Sequence, residues 1–187
     1  MQTKKLDIRF GVIAFIILIA AISRLLPHPP NVTPLSAMAL FGAAHFSKRW
    51  QGIVVPLLAF WVSDLIINNI IYSAYFPTFT LFSKDFYFVA GSLILMTVLS
   101  WVMLKVVKVK NIITTSLVGS VVFFIITNFG TWVNWSMYPM TPTGLMTCYA
   151  AGLPFLLNSL IGDLLWCAVL FGGYAWAQRR FSVPDVA

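Results

Sequence analysis

Charge is what this sequence has least of. Of 187 residues, 12 are Lys or Arg and 5 are Asp or Glu, so 9% carry charge, against about 25% in an ordinary soluble domain. Hydrophobic residues make up 60%, and mean hydropathy is +0.91. So few charges cannot cover that much apolar surface in water. A soluble globular domain, a disordered chain and a collagen-like chain are excluded by this balance. Reactive side chains are equally scarce: two Cys and two His. Cys148 falls in the last outer connection and Cys167 about 20 Å down the last apolar run, too far apart for a disulfide. There is no HExxH, CxxC, Walker A loop or GxSxG. No cofactor and no catalytic site is expected, so the chain is not read as an enzyme. Any ATP it depends on must be hydrolysed by another protein.

What remains is apolar length. A helix needs roughly 20 apolar residues to cross a ~30 Å hydrocarbon core. Five runs qualify, at 10–26, 52–71, 86–104, 112–129 and 153–177. A sixth, 35–46, is short, and suits a core helix, a re-entrant segment or a crossing. The basic residues favour a crossing. With six spans, Lys4, Lys5, Arg9, Lys48, Arg49, Lys105, Lys108, Lys110, Arg179 and Arg180 all fall on one side, leaving Arg24 and Lys84 on the other. Cytoplasmic loops carry the Lys/Arg excess. The expectation is an all-α, multi-pass protein of the plasma (inner) membrane: one six-helix domain over 1–187 with both termini cytoplasmic. The net charge of +7 then reports topology, and no nucleic-acid partner is implied. Span 1 also has the outline of a signal peptide, with Ala21-Ile22-Ser23 as a cleavable stretch. The last residues, 184–187, read as a short polar tail.

The two sides differ. The cytoplasmic connections, 47–51 and 105–111, are short and basic. The outer ones, 27–34, 72–85 and 130–152, carry seven prolines, including Pro77, and many aromatic rings. Part of this is an interfacial aromatic belt. Long, proline-set loops on one face alone suggest a cover over a binding cup.

Polar residues inside the spans converge on the same half. Asp64 lies roughly 18 Å up span 3, and Asp163 roughly 14 Å down span 6. Asn68 and Asn69 continue outward from Asp64, Ser159 and Asn158 from Asp163, and span 5 ends in Thr127 and Asn128. An intramembrane carboxylate faces the protein interior and needs a partner. Interhelical hydrogen bonding is the plainer role, and Gly162 beside Asp163 suggests close helix packing there. Arg24 can pair with Asp64, contact an anionic ligand group, or snorkel to the interface. Thr33-Pro34 reads as a helix start, Ser83 as a cap for span 4, and Pro154 as lying near the start of span 6. Helix N-termini at the cup favour an electronegative ligand group. His28 and His45 have no acidic neighbour in sequence. Met137, Met140, Met146 and Cys148 cluster in the last outer connection, where loop packing competes with a soft-metal contact.

Several motifs then stand out: RLLPHPPNVTP over 24–34, AMALFGA over 37–43, Ser63-Asp64, TNFGTW over 127–132, YPMT over 138–141, GLMTCY over 144–149 and PFLLN over 154–158. Together they resemble a family of uncharacterised membrane transport proteins similar to the S components of energy-coupling factor (ECF) vitamin transporters. The resemblance spans about 24–173. It implies a six-helix protein whose first, third and fifth connections cover an extracellular substrate site. It also implies, for some members, partnership with a transmembrane coupling subunit and two ATPases. Those partners are met through an AxxxA on the first span. Here span 1 has only Gly11-Val-Ile-Ala14, and the Ala39–Ala43 pair falls on span 2. The expected function is binding and uptake of a small micronutrient, a vitamin or cofactor precursor, with membrane lipid as surroundings. Arg24, Asn31, Asp64, Asn68, Asn128, Trp132, Tyr149 and Asn158 are the expected lining, rings for stacking and amides for a polar edge. The rivals are a small integral membrane enzyme and a structural or assembly subunit without transport activity.

Overall fold

The structure, a computed structural model, describes residues 2–76 and 78–181, with side chains for 8–76 and 78–180. Pro77, the tail at 184–187 and the side chains of Lys4 and Lys5 lie outside the described residues. Among the described residues there are six α-helices and no strand: α1 (Gln2–Ser23), α2 (Leu35–His45), α3 (Arg49–Ile66), α4 (Phe86–Met103), α5 (Val109–Asn134) and α6 (Pro142–Phe181). A π-helical turn, Ile67–Ile71, continues α3, and a 3₁₀ turn covers Ser73–Tyr75.

Among the described residues four stretches are long and apolar enough to cross a membrane: Arg49–Ile71, Phe86–Met103, Val109–Asn134 and Pro142–Arg180. Ile8–Ser23 and Leu35–His45 are apolar but shorter. Their outward faces suit lipid. On α6 an exposed stripe runs Leu157, Ile161, Leu165, Val169 at four-residue spacing, and α1 exposes Phe15, Ile19 and Ile22. This is the reverse of a soluble helix, whose apolar stripe turns inward.

The centre of the bundle is α2. Every residue from Leu35 to Gly42 is buried, and α2 packs against all five other α-helices. Its sequence, LSAMALFGAAH, has small residues on several sides, so neighbours approach closely. Gly42 and Gly52 show the limit. A Cβ on Gly42 would stand 3.3 Å from the Gly52 carbonyl oxygen, and one on Gly52 would stand 3.1 Å from the Gly42 carbonyl oxygen. The α2–α3 hairpin therefore closes backbone to backbone. Arg9, buried in α1, donates to the carbonyl of His45 at the end of α2. That satisfies one of the helix's unpaired carbonyls and sets a cation at its negative end.

Arg9, Lys48, Arg49, Lys105, Lys108 and Arg179 gather at this end, the basic end. Segments 24–34, 72–76, 78–85 and 135–141 form the opposite, looped end. Two sequence expectations change here. The last looped connection is not 130–152. Helix α5 runs on to Asn134 and α6 begins at Pro142, with Pro154 inside it. Thr141 supplies the start: its Oγ1 accepts from the Gly144 amide at 3.1 Å, ahead of a proline at the first helical position. The expected caps also differ. Neither Pro34, which precedes α2, nor Asp85, which precedes α4, makes a side-chain cap bond. Thr33 faces cavities instead, and Ser83 donates its hydroxyl to Asp64 at 3.2 Å.

Candidate functional site

Segment 24–34 makes the site possible. It leaves α1 by a turn at Arg24–Leu26 and stays non-helical until α2. It lies against the middle of α6, not above it. A Cβ on Gly162 would be 2.9 Å from Val32 Cα, and Asn158 Nδ2 donates to the Pro30 carbonyl at 3.0 Å. Gly162 thus admits a loop backbone, where its position beside Asp163 had suggested a helix. Asn31, with φ 62°, turns the segment through the left-handed region that Asn tolerates. At the level of Gly162, α6 shows Ile161 and Leu165 outward. Non-helical backbone at apolar depth is stable only where it is buried in protein or lines a cavity.

Two adjoining cavities open beside this segment. The wider, about 520 Å³, is lined by Asn31, Phe123, Thr127, Asn128, Tyr138 and Phe155, with Asp85 among the others. The deeper, about 150 Å³, is lined by Arg24, Asn31, Thr33, Ser36, Ser159 and Asp163, with Leu35 and Phe123 completing it. Asn31 and Phe123 belong to both. A third cavity, about 400 Å³, lies on the other side of Arg24 and Thr33, toward Ile67 and Tyr72. A separate cleft of about 520 Å³ at the basic end is bordered by His45, Val107, Phe171 and Arg179. None of the expected site residues reaches it.

The expected residues divide into three groups. Arg24, Asn31 and Asn128 line cavities. Asp64 and Asn68 line none of these four; Asp64 instead holds Arg24, and Asn68 holds Asp64. Arg24 Nη2 lies 3.4 Å from Asp64 Oδ1, Arg24 Nη1 donates to the Ser63 hydroxyl and to the Phe60 carbonyl, and the guanidinium carbon lies 5.2 Å from the Phe60 ring centroid. The other Asp64 oxygen accepts from Asn68 Nδ2 at 3.1 Å and from Ser83. One carboxylate therefore ties the end of α1 to the π-helical turn and to the start of α4.

The third group fixes backbone. Trp132 Nε1 donates to the Pro139 carbonyl at 3.0 Å, Tyr149 OH to the Ile125 carbonyl at 2.8 Å, and Asn158 to Pro30. Asn69 binds both carbonyl and amide of Thr80, at 2.9 and 2.7 Å. Asp85 accepts from Trp135 Nε1 at 2.9 Å. The polar aromatic tips are spent on a loop carbonyl (Trp132), a carbonyl of α5 (Tyr149) and a carboxylate (Trp135), and the rings that face the wider cavity are Phe123, Tyr138 and Phe155.

Three lining residues stand out beyond the expected set: Ser36, Phe123 and Asp163. Asp163 is buried, accepts from Ser120 Oγ at 2.6 Å and is also bonded by the Ser36 side chain. Phe123 had a signal, since it precedes Thr127 by one turn and shares its face. Among the described residues no three His, Cys, Asp or Glu side chains gather closely enough for a metal ion.

Fold and cavities together define a membrane protein, helical throughout its described elements, with mainly apolar chambers that carry a few polar groups at one end of its bundle. A family model described as "Family of unknown function (DUF6580)" matches residues 4–185, and the chain belongs to that family. No curated protein and no solved structure matches it.

Proposed function

We propose that this protein is a multi-pass protein of the plasma membrane that binds a small polar molecule in the joined cavities and serves its uptake, in the manner of an ECF S component. The observation that carries the reading is segment 24–34. It reaches into the apolar depth of the bundle, and there it lines two chambers with Asn31. A purely structural subunit has no need for irregular backbone at that depth. The wider chamber, about 520 Å³, falls within the size range of small-molecule sites, about 300–1,000 Å³, and combines aromatic walls with a few polar groups.

In this reading α2 and segment 24–34 together make the second of six crossings. Eleven helical residues cover about 16 Å, and the irregular segment covers the rest. Interrupted helices of this kind frame the substrate sites of many transporters. The basic end faces the cytoplasm with both termini, and the looped end faces outward. The ligand is a micronutrient such as a vitamin or cofactor precursor. If an ECF coupling subunit and ATPases drive it, they meet a surface other than the Ala39–Ala43 pair, because Ala39 is fully buried in α2. Space around Gly11 is open, so the Gly11–Ala14 face of α1 is the candidate surface.

The test is mass spectrometry of small molecules released from protein purified in mild detergent. A single species near one per chain is expected. Only lipid and detergent in the extract would contradict the reading.

A further inference from the structure

The deeper cavity has a charge imbalance. Asp64 and Asp163 are the two carboxylates at this depth among the described residues, and Arg24 is the one guanidinium. Arg24 is spent on Asp64 at 3.4 Å. Asp163 is left with hydroxyl donors only, from Ser120 and Ser36, although a carboxylate can accept about four hydrogen bonds. The N-terminal end of α2 adds a partial positive charge nearby, which offsets part of the deficit. Arg24 shows the opposite lack. Its side chain is 9% exposed, and its Nε has no acceptor. Both Arg24 and Asp163 line the same chamber of about 150 Å³.

A buried donor without an acceptor and a buried carboxylate with free lone pairs both raise the free energy of the empty site. One occupant satisfies both if it presents a nitrogen-bound hydrogen beside an acceptor. An apolar cavity of about 150 Å³ holds one benzene-sized ring. We infer that the deeper chamber takes a single nitrogen heterocycle of the ligand, with an N–H donor on Asp163 and a ring acceptor on Arg24 Nε. The remainder of the ligand lies in the wider chamber, past Asn31 and Phe123. This inference rests on the binding role proposed above and adds the chemical class of the buried group.

The experiment uses full-length protein in detergent and two probes, 4-aminopyrimidine and 4-methylpyrimidine, titrated calorimetrically. They match in size and differ in the N–H donor. A hydrogen bond to a charged group changes affinity roughly 10- to 100-fold, so the amino probe should bind at least about tenfold more tightly. Asp163→Asn keeps an acceptor oxygen but loses the charge, so it should cut that preference to a few-fold. Ser159→Leu fills the chamber without touching the Asp163 bonds, because Ser159 donates to its own helix at Phe155. It should abolish binding of both probes while the melting transition persists, and it decides the matter if Asp163→Asn fails to fold. Equal affinity of the two probes, a preference undiminished in Asp163→Asn, or probe binding unchanged in Ser159→Leu would overturn the inference. A native ligand that copurifies with wild type and with both variants would sink this assignment alone. Absence of any copurifying molecule together with no probe binding would remove the binding role as well.

Discussion

Arg24, just past the end of α1, meets Asp64 of α3 at 3.4 Å, and apart from Arg24 Nε, which has no acceptor, the remaining polar groups of both side chains are committed to neighbours. Oδ2 of Asp64 serves Asn68 and Ser83, and the guanidinium serves Ser63 and Phe60. The pair is a joint between α1, the π-helical turn after α3 and the approach to α4. Asp64→Ala should therefore destabilise the ligand-free protein by about 3–5 kcal/mol, because it leaves a buried guanidinium without a counter-charge. The double change Arg24→Met with Asp64→Leu should recover most of that loss. Melting in detergent measures both, and a double variant no better than Asp64→Ala would show that the pair does more than balance charge.

Asn68→Ala separates scaffold from lining. Asn68 is buried and bonds a carboxylate oxygen, so its loss should cost about 1.5–3 kcal/mol. The cavity walls stay intact, and ligand affinity should change less than about twofold. Asn128→Ala should behave in the opposite sense, since Asn128 lines the wider chamber. A melting loss for Asn128→Ala larger than for Asn68→Ala would reverse the two assignments.

Much of this fold is legible in hydropathy. Helices α2, α3 and α4 begin and end within a few residues of the apolar runs that announce them. The extensions of α5 and α6 are hidden because Thr131, Trp132 and Asn134, and then Thr143 to Tyr149, form helix beyond the apolar stretches, where hydropathy is silent. Pro154 adds to this: a proline reads as a helix start, yet α6 carries it internally. At the site, Asp64, Asp163 and Arg24 announce themselves as charges in apolar runs. Their partners do not. Ser36 and Ser120 are far from Asp163 in sequence, and a serine in an apolar run carries no signal of what it bonds. Trp132 and Tyr149 are legible as important rings, but the sequence does not separate a ring that stacks on a ligand from one that pins a loop, as Trp132 does, or joins two helices, as Tyr149 does.

Gly162 is where the irregular segment rests on α6. Gly162→Ala puts a Cβ 2.9 Å from Val32 Cα, and backbone cannot yield as a side chain end can. A cost of about 1–3 kcal/mol is expected, together with faster thiol labelling of an Asn31→Cys reporter in the same protein. Unchanged labelling would mean that segment 24–34 is not held by this contact.

Orientation has its own test. Cys148 and Cys167 are buried, so single cysteines introduced after replacing both report cleanly. Cysteines at Lys48 and Lys108 should react with an impermeant reagent only from the cytoplasmic side, and those at Lys84 and Pro142 only from outside. Labelling of Lys48 from outside would mean that Leu35–His45 and segment 24–34 do not complete a crossing.

The most direct measurement of the binding role is native mass spectrometry of wild type beside Ala151→Trp. Ala151 borders the wider chamber, and an indole there occupies the space that a ligand needs. Wild type should carry a small-molecule adduct that Ala151→Trp lacks, with both proteins melting cooperatively. The same adduct on both, or none on wild type, would contradict ligand binding in these cavities.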